Sequence, residues 1–206
     1  LTVTETVPKT VPAKPKFPIE SLLSARLLLA PRISGDKVFF LSDFSGVLSL
    51  YSMDKNGGIP QPLLPGGMAL VNPHLIIGDS FVVLPKMEKL LVMIDKLGNE
   101  NYQPSFVPLD GGIPEPLLGP DYENQQNASI HCDVEKDIGY FYNDNRKQPE
   151  QGTLKVNLET GDVVPLGRSP YGNFCNGVSS DHSMVILADG YTAGDNVLYY
   201  WKPGMK

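Results

Sequence analysis

Gly57-Gly58-Ile59-Pro60-Gln61-Pro62-Leu63-Leu64 returns as Gly111-Gly112-Ile113-Pro114-Glu115-Pro116-Leu117-Leu118, with one change, Gln61 against Glu115. A near-copy at this distance marks a chain assembled from repeats of about 40 to 50 residues, in which no unit buries its own apolar face and neighbours cover one another. The paired glycines supply a turn that needs positive φ. The prolines after them cannot donate to a central ladder, so this segment reads as an edge strand.

Outward from the octapeptide the same unit recurs. A turn rich in Ser, Gly and Asp leads into an apolar strand at Val38 to Leu41, Phe81 to Leu84, Ile138 to Tyr142 and Met184 to Ala188. A second strand follows at Leu48 to Met53, Ser105 to Leu109, Leu154 to Leu158 and Val197 to Trp201. Proline-bearing outer strands lie at Ile59 to Leu64, Ile113 to Leu118 and Val163 to Leu166. Inner strands are expected at Leu27 to Ala30, Met68 to Val71, Ala128 to His131 and Phe174 to Asn176. Four antiparallel strands per unit make a propeller blade.

The expected fold class is therefore all-β: a β-propeller of four-stranded blades, about four of them present, as part of a larger propeller. The blades fall at approximately 27–66, 67–120, 121–170 and 171–206 within a propeller spanning 19–206. The longer second unit is assigned an insertion at 96–104. Residues 1–18, with Pro8, Pro12, Pro15 and Pro18 among Thr and Lys, read as an extended tail or linker. After Pro18, Ile19, Leu22, Leu23 and Arg26 follow helical spacing and predict one short N-terminal helix. Thr2 to Val7 is a candidate clasp strand for the fourth blade, which ends after its third strand.

Composition narrows the function. The 206 residues are 41% hydrophobic, which suffices for a packed core, and the 20 Gly and 19 Pro suit many short strands joined by tight turns. A net charge of -6 argues against a phosphate-tracking surface, so no nucleic-acid partner is expected. Two cysteines, Cys132 and Cys175, make no disulfide framework. No run of about 18 apolar residues and no signal-peptide pattern is visible, so no membrane partner is expected and the cytoplasm is favoured.

The unit at 32–64, with Ile33-Ser34, Asp36-Lys37-Val38-Phe39-Phe40, Ser42-Asp43, Gly46, Leu50-Tyr51, Asp54 and Gly57-Gly58, resembles the WD40-like repeat of the TolB type. That repeat also forms the amino-terminal propeller of the prolyl oligopeptidase and acylaminoacyl peptidase family of serine peptidases. Ser-Gly-Asp-Lys here stands one residue short of the family's Ser-Pro-Asp-Gly-Lys. The stretch Phe17 to Arg26, running into Ala30-Pro31-Arg32-Ile33-Ser34, is similar to the entry into such a peptidase propeller. The resemblance implies about six to eight blades followed by an α/β-hydrolase domain. The nucleophile signature Gly-x-Ser-x-Gly is absent from this chain.

Several residue groups invite a catalytic or binding reading. Ser179-Ser180-Asp181-His182 holds the letters of a hydrolase triad, yet adjacent turn residues do not converge as a triad must, and turn chemistry is expected. His131, Cys132 and Asp133 lack supporting ligands at metal spacing. Asp43, Asp144 and Asp189 fall at matching places, just beyond the Val38 to Leu41, Ile138 to Tyr142 and Met184 to Ala188 strands, where a funnel-lining acid and base pair would stand; capping of their own turns is the simpler expectation. The aromatics Phe39, Phe40, Tyr51, Phe81, Tyr140, Phe141, Tyr142, Tyr199, Tyr200 and Trp201 are expected in the core. Asp121, Tyr122 and Glu123 lie in a connection between blades.

No catalytic, cofactor-binding or metal-binding residue is assigned, and no cofactor is expected. The first reading is the non-catalytic propeller portion of a prolyl oligopeptidase-like peptidase, which gates access of a peptide substrate to a C-terminal α/β-hydrolase domain absent from this chain. The second is a stand-alone TolB-like propeller that binds a protein partner. The third is a small propeller hydrolase using carboxylates. Exposed blade edges also predict self-association.

Overall fold

A computed structural model describes residues 24–96 and 98–205. These residues form four antiparallel sheets in chain order. The first joins β1 (Leu28–Ser34), β2 (Lys37–Ser42), β3 (Ser49–Asp54) and β4 (Gln61–Pro62) side by side. The second holds β5 (Ala69–Leu70), β6 (Phe81–Leu84), β7 (Lys89–Asp95), β8 (Gln103–Pro108) and β9 (Glu115–Pro116). The third runs through β10 (Gln126–Asp133), β11 (Ile138–Asp144), β12 (Gln151–Asn157) and β13 (Val163–Ser169), and the fourth through β14 (Asn173–Val178), β15 (Val185–Thr192) and β16 (Asp195–Trp201). This is a partial β-propeller. The helix expected around residues 19–26 and the clasp at Thr2 to Val7 lie outside the described residues, except for 24–26, which are not helical.

The core lies between sheets, as a repeat array requires. Because successive strand residues point to opposite faces, each sheet offers one apolar row forward and another backward. Phe39 and Leu41 of the first sheet pack with Leu90 and Val92 of the second. Leu91 and Met93 turn the other way and pack with Phe141, Leu154 and Val156 of the third. Tyr140 meets Val185 and Leu187 of the fourth. Strand β7 is buried on both faces, which explains its unbroken apolar run Leu90 to Ile94.

The second sheet departs from the expected layout. Phe81 to Leu84 does not take the place that Val38 to Leu41 has in the first sheet; that place belongs to β7. Phe81 to Leu84 forms the latter part of the inner strand, for β5 and β6 pair with the same edge of β7, at Ile94–Asp95 and Lys89–Val92. The extra residues are 71–80, between β5 and β6, and not 96–104, where Pro104 already pairs with Met93. Inner strands of the other sheets carry a register slip between Leu29 and Arg32, Ser129 and His131, and Cys175 and Gly177. In the second sheet the slip is enlarged into a loop. A bulge is already unpaired, so residues added there cost few ladder bonds.

The octapeptides occupy equivalent outer positions. Tyr51 pairs with Pro62 and Ser105 with Pro116, each proline on an edge strand. Gly111 and Gly112 have φ of 89° and 156°, and the Gly112 amide donates to the Leu63 carbonyl of the preceding sheet at 3.0 Å. The repeat thus builds both an outer strand and the joint to its neighbour.

Candidate functional site

Inner strands of successive sheets stand beside one another, and the 71–80 loop lies among them. Gly78, at φ 114°, lets the loop approach β10 so closely that a Cβ there would fall 1.7 Å from the Ser129 carbonyl oxygen. The Asp79 amide donates to that oxygen at 3.1 Å. The loop is therefore pinned across two sheets. It presents Leu75 and Ile77, 78% and 73% exposed, at the mouth of a cavity of about 390 Å³. Tyr102, Tyr142 and Phe174 also line it, with Tyr142 and Phe174 stacked at 5.1 Å. Burial pushes the Tyr142 hydroxyl up to about 12, and burial likewise raises that of Tyr102. Both rings are neutral, wall-forming groups at physiological pH.

The turn Ser179 to Ser183 is structural, as expected, and its letters do not form a triad. Ser179 Oγ donates to Asp181 Oδ1 at 2.6 Å, and the Ser183 amide and hydroxyl donate to the same oxygen. His182 instead leaves the turn. Held at φ 56° and 3% exposed, it reaches into the third sheet, with Nε2 2.8 Å from Asp133 Oδ2 and Nδ1 2.9 Å from the Tyr140 hydroxyl. A neutral ring protonated on Nε2 satisfies both: it donates to Asp133 and accepts from Tyr140. The hydrogen bond from His182 holds the Asp133 carboxyl below its ordinary range. Sequence reasoning missed this latch because its three residues come from different turns and strands.

The three aspartates do not converge. Asp43 Oδ1 accepts from the Leu27 amide at 2.9 Å, at the end of the β1–β2 ladder, whereas Asp144 Oδ1 accepts from the Arg146 amide at 2.7 Å and caps its own turn. Asp189 accepts from Asn173 at 2.8 Å and from the Tyr199 hydroxyl at 3.1 Å. Along β15 it shares the face of Leu187, turned towards the third sheet, whereas Asp144 shares the face of Tyr140, turned towards the fourth. The residue that matches Asp189 is Asn143, which bonds Asn127 at 2.8 Å across the ladder. A one-residue slip in alignment exchanges faces.

Phe39, Phe40, Tyr51, Phe81, Tyr140 and Phe141 are buried, as expected, but Tyr199 and Tyr200 are exposed. Their strand β16 is the last of its sheet, and among the described residues no further strand pairs with its outer edge. Cys132 and Cys175 are free thiols that burial pushes up to about 12 and about 11, leaving them unreactive as thiolates. Tyr122 closes a short 3₁₀ turn, Pro120–Tyr122, and packs on the core between the second and third sheets. Among the described residues no three His, Cys, Asp or Glu side chains gather as metal ligands.

The fold is that of the TolB-type propeller. The chain is similar to a protein of Agrobacterium tumefaciens named as a TolB, with a TM-score of 0.58 at 15% identity over 86% of this chain and 58% of that one. It is also similar to a puromycin-hydrolyzing peptidase of Mycobacterium tuberculosis, with a TM-score of 0.56 at 16% identity over 79% of this chain and 25% of that one. The acylaminoacyl peptidase of Pyrococcus horikoshii matches with a TM-score of 0.58 at 9% identity over 90% of this chain and 32% of that one. This chain therefore spans about a quarter to under two thirds of the solved chains it matches. No protein-family model and no curated protein sequence matches it.

Proposed function

We propose that this chain is the non-catalytic propeller portion of a prolyl oligopeptidase-like serine peptidase, which covers the active site of a hydrolase domain and admits only short or extended peptides. The observation that carries the reading is the combination of a TolB-type propeller fold with coverage of only 25% and 32% of two matched peptidase chains. The missing Gly-x-Ser-x-Gly motif agrees with it. A rigid stack of sheets whose inner edges meet is suited to exclude folded substrates.

The test is to express the complete reading frame that encodes this chain. A fluorophosphonate should label one serine beyond residue 206, and the product should cleave short peptides while sparing folded proteins. A frame that ends at residue 206, or digestion of a folded protein, would rule the gate out. A stand-alone TolB-like propeller that binds a protein partner is the second reading, supported by the 58% coverage of the Agrobacterium tumefaciens chain. The third is a carboxylate-dependent propeller hydrolase; the hydrogen bonds of Asp43, Asp144 and Asp189 to their own turns or ladders speak for the first two readings.

A further inference from the structure

We infer that the cavity under the 71–80 loop binds an extended peptide that presents a large apolar side chain next to a cationic residue. Its volume, about 390 Å³, sits at the low end of the range for small-ligand pockets, roughly 300 to 1,000 Å³. That is room for one or two residues and not for a folded domain. The apolar lining includes the stacked Tyr142 and Phe174 together with Leu75 and Ile77. Leu75 and Ile77 together extend the apolar lining of the cavity to the surface, and contiguous exposed apolar patches of this kind mark binding sites. The end of the loop next to Ile77 is held, since the Asp79 amide donates to the Ser129 carbonyl and Gly78 packs against it, which limits the ordering that binding must supply.

Charge supplies the second half of the specificity. Glu100 lines the cavity, its amide donating to Asp95 Oδ1 at 3.2 Å. The fields of Glu100 and Asp95 reach Tyr102, and that of Asp144 reaches Tyr142. Arg146 stands among these acids, with contacts at 4.0 Å to Glu100 and 3.9 Å to Asp144, and answers only one charge of the three. Only Glu100 of these acids lines the cavity, and the field of Arg146 also reaches Tyr102 and Tyr142. Three carboxylates against one guanidinium nonetheless leave a negative surplus around the cavity that favours a Lys or Arg adjoining the buried side chain. This inference builds on the peptide-gating reading by naming a contact on the propeller, but it is tested without the hydrolase.

The experiment is fluorescence anisotropy on the 206-residue chain with fluorescein-labelled Gly-Gly-Phe-Lys-Gly-Gly. Replacing Phe by Ala should weaken binding by about tenfold, the loss expected for one large apolar side chain. Replacing Lys by Glu should weaken it as well, with a difference that shrinks as salt is raised. The double variant Leu75→Ser, Ile77→Ser changes exposed positions and should keep its melting temperature while losing the preference for Phe. Glu100→Gln should reduce only the preference for Lys. Equal binding of the Phe and Ala peptides, or an unaltered double variant, would overturn the inference. So would a double variant whose only change is weaker self-association, which would assign the patch to a second copy of the chain. Fluorophosphonate labelling of the full reading frame would leave the gating reading standing in either case.

Discussion

Gly57 and Gly111 hold the same place in the repeated octapeptide but meet different surroundings. Both have positive φ, 107° and 89°, where a Cβ is strained. At Gly57 an added Cβ meets nothing within 4 Å, whereas at Gly111 it would lie 2.8 Å from the Leu63 carbonyl oxygen and 2.9 Å from its Cα. Gly57→Ala should therefore cost about 1 kcal/mol and Gly111→Ala roughly 2 to 3 kcal/mol. Urea melts compare them, and equal losses would mean that the joint between sheets adds nothing. His182→Ala removes a buried ring and leaves the Tyr140 hydroxyl unpaired, which should cost about 2 to 4 kcal/mol. Because the Asp133 carboxyl is held below its ordinary range, its contribution is present above about pH 4 and is lost as pH falls through the depressed value. Asp133→Asn should be less stable at neutral pH and lose less stability on acidification. An identical slope in denaturation series taken down to about pH 2 would refute the latch.

Strand β16 is the element whose sequence and surroundings disagree most. Leu198 and Tyr200 pair with Ala188 and Ile186 and so face away from the third sheet, exposed at 61% and 51%. At the other end, Leu28, Phe40, Phe44 and Pro60 border an apolar hollow on the first sheet. Apolar sheet faces and unpaired strand edges favour association. The chain by itself is expected to self-associate as concentration rises, and Leu198→Lys with Tyr200→Lys should shift it towards monomer without lowering its melting temperature. Light scattering across a concentration series decides; a monomer throughout, before any substitution, would count against the expectation.

For the molecule as a whole, the sheets form a stack in which each core belongs to two neighbours, so no sheet is an independent unit. The turn that carries Ser179 spends its side chains on its own backbone and on the joint to the third sheet. The 206-residue chain is therefore expected to turn over neither prolyl nor acyl-aminoacyl chromogenic substrates and to remain unlabelled by a fluorophosphonate. Stoichiometric modification of a single serine would contradict this.

The repeat was legible in the sequence because it rests on local chemistry: glycine pairs that demand positive φ, prolines confined to edges, and Ser-Gly-Asp turns before apolar strands. Those signals determined the all-β class, the antiparallel strands and the outer edges. Strand β7 escaped them, since Glu88 makes the left-handed turn at its start without a glycine, and burial on both faces erased the alternation that marks a strand. Only tertiary structure decided where the second sheet's loop is inserted, which aspartate matches which, and what His182 touches. Each depends on register and on the facing sheet: a one-residue slip exchanges faces, and a bond between residues 49 positions apart exists only once the third and fourth sheets have packed.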